Sequence, residues 1–80
     1  MNNENFGIAE LRKELGQTLE EFAATIGIKS KGHASEIERD NRCGSVSVAL
    51  TIEKLSEGRI DAASLNDDVA MARAAGAKAA

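Results

Sequence analysis

Eighty residues with no Pro, Trp or Tyr and only two Phe leave Ala, Leu, Ile and Val to supply most of the 42% hydrophobic content. That palette suits short packed helices better than sheet and points to one small all-α domain with an economical core. A single cysteine, Cys43, excludes an internal disulfide, and with one histidine, His33, there is no cluster at metal-ligand spacing, so no metal or cofactor is expected. The segment from Met1 to Asn5 lacks the basic start and apolar run of a signal peptide, and nothing approaches the roughly 18 apolar residues of a membrane span. A soluble, cytoplasmic protein without membrane contact is the expectation.

Asn5 is placed to cap a first helix whose apolar residues Ile8, Leu11 and Leu15 share one face, and Gly16 closes it. Thr18, followed three residues later by Glu21, forms a capping box for a second helix that buries Leu19 or Phe22, Ala23 and Ile26 before Gly27. Ser30 caps a third helix through about Arg39, with Ala34 and Ile37 inward and Lys31, His33, Ser35, Glu36 and Arg39 facing elsewhere. Gly32 in its first turn costs about 1 kcal/mol against alanine, which suggests tolerance near a helix end or close approach of something to the backbone.

A loop from Asp40 to Ser45 leads to a fourth helix marked by Val46, Ala49, Leu50, Ile52 and Leu55 and ending before Gly58. Ile60 is a staple residue, and Asp61 caps a fifth helical turn that tucks in Leu65. Residues 1–66 thus form the domain. From Asp67 the chain turns alanine-rich without a wide apolar stripe, and Val69 and Met71 promise little burial. Residues 67–80 read as a mobile tail or a frayed helix, with a dimerisation helix as the functional alternative.

The net charge of −3 is unevenly spread: residues 1–28 carry two basic and five acidic side chains, 29–42 four and three, and 43–80 four and five. Only the middle segment is net positive. It contains the corner after Gly27, the third helix and the following loop.

Two short helices meeting at a tight glycine corner form the pattern of a helix-turn-helix. Thr18-Leu19-Glu20-Glu21-Phe22-Ala23, the Ile26-Gly27 corner, Ser30 through Arg39, the Ala49–Leu55 helix and the ending Lys54 through Leu65 together resemble the Cro/C1-type (XRE-like) regulators, including small Cro- and YdaS-like members. Two features depart from that family: the corner is one residue longer, and Leu19 stands where many members carry a phosphate-contacting glutamine. The resemblance implies a five-helix lambda-repressor-like domain with the helix-turn-helix at helices two and three. It places Lys31, Gly32, His33, Ser35 and Glu36 against base edges in the major groove, with Lys31 able to donate to guanine and Glu36 able to accept from cytosine. Thr18, Lys29, Ser30, Arg39 and Arg42 would contact phosphates, and Arg12 and Glu38 correspond to the family's structural ion pair between the first and third helices.

The expected function is therefore a sequence-specific regulator, a phage or bacterial repressor, bound as a homodimer to a palindromic operator in double-stranded DNA. The alternative is an antitoxin-like module that neutralises a protein partner. An enzyme is not expected: there is one His, one Cys, no glycine-rich phosphate loop and no metal-ligand cluster, and the adjacent carboxylates Glu20-Glu21 and Asp67-Asp68 are explained by helix caps or a solvated face.

Overall fold

The computed structural model describes residues 6–79, in which six helices follow one another without a strand: α1 (Ile8–Leu15), α2 (Leu19–Thr25), α3 (Lys31–Asp40), α4 (Val46–Leu55), α5 (Ala62–Leu65) and α6 (Asp67–Ala79). The all-α expectation holds: five helices lie within residues 6–65, and the sixth falls in the stretch 67–80, read as mobile or helical.

Each helix starts where a side chain or a neighbouring helix can satisfy its free amides. In α1 the cap is Gly7, whose N–H donates to Glu10 Oε1 at 3.0 Å; Asn5 lies outside the described residues. The next amide, Ile8 N, donates 3.1 Å to the side-chain oxygen of Asn41, at the far end of α3. A Cβ at position 7 would fall 2.9 Å from that oxygen, so glycine there permits a close crossing of α1 by the α3 terminus. Asn41 itself is left-handed (φ 51°), a conformation asparagine tolerates better than most residues.

The expected capping box opens α2: Glu21 N donates to Thr18 Oγ1 at 3.1 Å and Thr18 N to Glu21 Oε1 at 2.8 Å. The corner is a Schellman motif, with Gly27 N bonded to Ala24 O at 3.2 Å and Ile28 N to Ala23 O at 2.8 Å. It requires a left-handed residue, and Gly27 supplies it at φ 84°. Ser30, Ser45 and Asp61 accept from His33 N, Val48 N and Ala63 N to cap α3, α4 and α5.

The core joins Ile8 and Leu11 of α1, Phe22 and Ile26, Ile37 of α3, Val48, Ala49 and Ile52 of α4, and Ile60, Ala62 and Leu65. Leu15, Val46 and Leu50, expected inside, are 39–43% exposed. For α4 the reason is helical phase: Val48, Ala49, Ile52 and Ser56 line one stripe, and at 100° per residue Leu50 falls on the far side of the helix and Val46 on its flank.

The expectation of little burial after Asp67 is corrected for Val69, which is 5% exposed, and upheld for Met71 at 69%. A single valine suffices because Asn66, itself 4% exposed, fixes the start of α6. Its Oδ1 accepts from Asp68 N and Val69 N, while its Nδ2 donates 2.9 Å to Cys43 O. Farther along, Arg73 pairs with Glu53 at 2.7 Å and Asp61 at 2.6 Å, holding α6 to the end of α4 and the start of α5.

A second long-range link joins α1 to the α4–α5 connection. Arg59 donates to both oxygens of Glu14, at 2.6 and 2.7 Å, and its guanidinium lies 4.3 Å above the Phe6 ring. The Arg59 hydrogen bond holds the Glu14 carboxyl below its ordinary 4.5. A carboxyl depressed on folding contributes stability above its unfolded value and loses it as pH falls through the folded one. Urea unfolding from pH 7 down to pH 3 is therefore expected to show the wild type losing more stability below about pH 4.5 than Glu14→Gln. Parallel acid limbs would remove Glu14 as a contributor.

Candidate nucleic-acid interface

Three restraints on α3 leave one face of it open. Ala34 and Ile37 are 1% and 3% exposed in the core, and Asn41 bonds across to α1. The third is the ion pair of Arg12 with Glu38, in which the Arg12 Nε is the closer donor and Nη2 reaches the second oxygen at 3.4 Å. Arg12 Nη1 also donates 3.3 Å to Gln17 O, so one guanidinium joins α1, the α1–α2 turn and α3. With side chains 24% and 12% exposed, this pair is better shielded than a surface ion pair, which contributes only about 0–1 kcal/mol. The loss of either partner would strand a desolvated charge.

Opposite the buried stripe, 100° per residue places Gly32, Ser35, Glu36 and Arg39 at the centre of the outward face, with Lys31 and His33 at its margins. All six are exposed. Lys31 begins the helix, one residue after the Ser30 cap, and Lys29 precedes it in the corner. Both lysines edge an open groove of about 500 Å³ with Glu20, Ala23, Ala24, Gly27 and Ile28. Their ammonium groups make no ion pair among the described residues.

The other residues expected from the sequence to contact phosphates are already engaged to differing degrees. Thr18 and Ser30 use their oxygens as acceptors in helix caps, which leaves each hydroxyl proton free to donate. Arg39 leans on its chain neighbour Asp40 at 3.4 Å. Arg42 turns toward α6, where its Nη2 meets Asp67 Oδ1 at 2.8 Å. Sequence reading missed that partner, as it missed Asn41 and Asn66. The signals for Asn41 and Asn66 were faint: an asparagine just past a helix and one just before another, both common capping positions.

Burial pushes the Cys43 thiol above its ordinary value, against a smaller opposing effect of Arg42, so the thiolate is disfavoured. Among the described residues no three His, Cys, Asp or Glu side chains converge as metal ligands, and no helix is long and apolar enough to cross a membrane. Comparison with protein-family models, curated proteins and solved structures finds no match.

Gly32 sits at the centre of the open face without an internal reason. Its backbone is not left-handed, and a Cβ there would meet only Ser30 Oγ, at an ordinary 3.6 Å. Gly32→Ala is accordingly expected to raise stability by about 0.5–1 kcal/mol in urea unfolding. A loss of stability would mean that the glycine serves the fold and not an external contact.

Proposed function

We propose that this chain is a sequence-specific DNA-binding regulator of the Cro/C1 type, acting as a cytoplasmic repressor, with α2 and α3 as its helix-turn-helix. The observation that carries the reading is the division of α3: one face is clamped by Ala34, Ile37 and the Arg12–Glu38 pair, and the other presents Lys31, Gly32, His33, Ser35, Glu36 and Arg39 exposed to solvent. An exposed helix face rich in donors and acceptors suits base edges in the major groove, and a glycine at its centre lets that groove approach the backbone. Lys29, Lys31, Arg39 and Arg42 make residues 29–42 net positive, despite a total of −3.

The Arg12–Glu38 pair fits the structural role that the resemblance gives it. In this reading α3 lies in the groove, the start of α2 faces the backbone, and the basic side chains fix register on phosphates. One such domain covers only about 600–1,000 Å² of protein surface, so a homodimer on a palindromic operator would supply the affinity and specificity. The function requires neither a cofactor nor catalysis.

A specific feature also favours the second reading, a module that neutralises a protein partner. Val46 and Leu50 lie one turn apart on α4 and are both exposed, an apolar edge separate from the α3 face. The two readings part on which substitutions abolish function.

Selection from a random pool of duplex DNA is expected to enrich an inverted repeat. Lys31→Ala should lose discrimination at one position by about 1–3 kcal/mol. Arg39→Ala should weaken binding to all sequences and reduce the salt slope by about 1. With Lys29, Arg39 and Arg42 as phosphate-facing cations, the wild-type slope of log affinity on log salt should be about −2 to −3 per protomer, since each contributes about −0.9. No enrichment at moderate salt, or binding indifferent to salt, would contradict the proposal and move weight to the α4 edge.

A further inference from the structure

Arg42 is tethered by a carboxylate that the fold does not need for its own cohesion. The loop carrying Arg42 is fixed to the α5–α6 junction by two buried hydrogen bonds on the adjacent residue: Cys43 N donates to Leu65 O at 2.9 Å and Cys43 O accepts from Asn66 Nδ2 at 2.9 Å. Asn66 Oδ1 then accepts from Asp68 N at 2.8 Å and Val69 N at 3.2 Å, so the first turn of α6 is set in place through the same amide group. These bonds bring Asp67 beside Arg42 whether or not the two side chains pair. The pair itself is a single contact of 2.8 Å between groups 53% and 80% exposed.

Among the cations of residues 29–42, Arg42 is the one whose partner comes from outside that segment, 25 residues farther along the chain. Lys29 and Lys31 make no ion pair among the described residues, and Arg39 has only its neighbour Asp40.

We propose that Asp67 is a built-in competitor for nucleic-acid phosphate: its carboxylate occupies the Arg42 guanidinium in the free protein and must be displaced when a phosphate takes its place. The inference rests on the DNA-binding reading above. A carboxylate and a phosphate present the same paired-oxygen geometry to arginine, and so exclude one another at one guanidinium. An exposed pair is weak enough to open on binding, yet it subtracts its own strength from every complex formed. The helix beyond the domain thereby sets the affinity, and anything that shifts the start of α6 changes it.

Binding of a mixed-sequence DNA duplex at low salt tests this with the full chain as wild type, Asp67→Asn, Asp68→Asn, Arg42→Ala and the double variant Arg42→Ala/Asp67→Asn. Asp68 has the same charge at the adjacent position, and its side chain makes no ion pair among the described residues. Asp67→Asn should bind about 1.4- to five-fold more tightly than wild type, the range that exposed ion pairs span. Its gain should exceed that of Asp68→Asn, shrink as salt screens the pair, and vanish in the Arg42→Ala background. Equal gains from Asp67→Asn and Asp68→Asn, or a gain that survives Arg42→Ala, would overturn the competition and leave only bulk charge. A wild type that binds the duplex while Asp67→Asn binds no better sinks this inference alone; a wild type that binds no duplex at low salt sinks the DNA-binding reading with it.

Discussion

The ion pair between Arg12 and Glu38 is the constraint on which the rest of the molecule turns. α3 is short and mostly polar, and buries only Ala34 and Ile37 fully, too little apolar area to fix its roll by packing alone. Arg12 removes that freedom by binding Glu38 while also reaching the carbonyl of Gln17, one residue before the cap of α2. A single guanidinium thus sets the angle between α1 and α3 and the start of α2. Asn41 adds a second fixed point by giving its side-chain oxygen to the first amide of α1. With the last turn of α3 fixed at these two points and Ala34 and Ile37 in the core, its free face has a defined orientation that does not depend on a ligand.

Much of this was written locally in the chain. Thr18 with Glu21, Ser30 and Asp61 are caps whose signal spans three residues or fewer, and each forms as read. The glycine corner at Gly27 is equally local, because a Schellman motif demands a left-handed residue at that place. Long-range choices were less legible. Val46, Val48 and Leu50 are similar in hydrophobicity, and which stripe of α4 turns inward depends on Ile52 and Ser56 meeting the rest of the core. Leu15 at the last turn of α1 is exposed for the same reason: periodicity names a face, and tertiary packing decides where the face ends.

The last helix was the least legible part. Its sequence lacks an amphipathic stripe, so no periodicity announced that it would dock. It is held instead by Asn66, by one buried valine and by the Arg73 bridge to Glu53 and Asp61, contacts that pair residues up to 23 positions apart. For the candidate site the residues of the α3 face were legible because cap and period together fix which side chains point outward. The engagement of Arg42 by Asp67 was not, since nothing near Arg42 in sequence indicates that α6 begins beside it. The acidic side chains divide on the same pattern: Glu14, Glu38, Asp40 and Asp67 each pair with an arginine and Glu53 and Asp61 share Arg73, while Lys29 and Lys31 remain outside any such pair among the described residues.

Backbone amide resonances followed during titration with a DNA duplex test the central claim most directly, because they report every position at once without substitution. The largest changes are expected at Lys31–Glu36 and at the first amides of α2, with Leu50, Thr51 and the body of α6 little affected. Changes concentrated on α4 around Val46 and Leu50, with the α3 face silent, would contradict that claim.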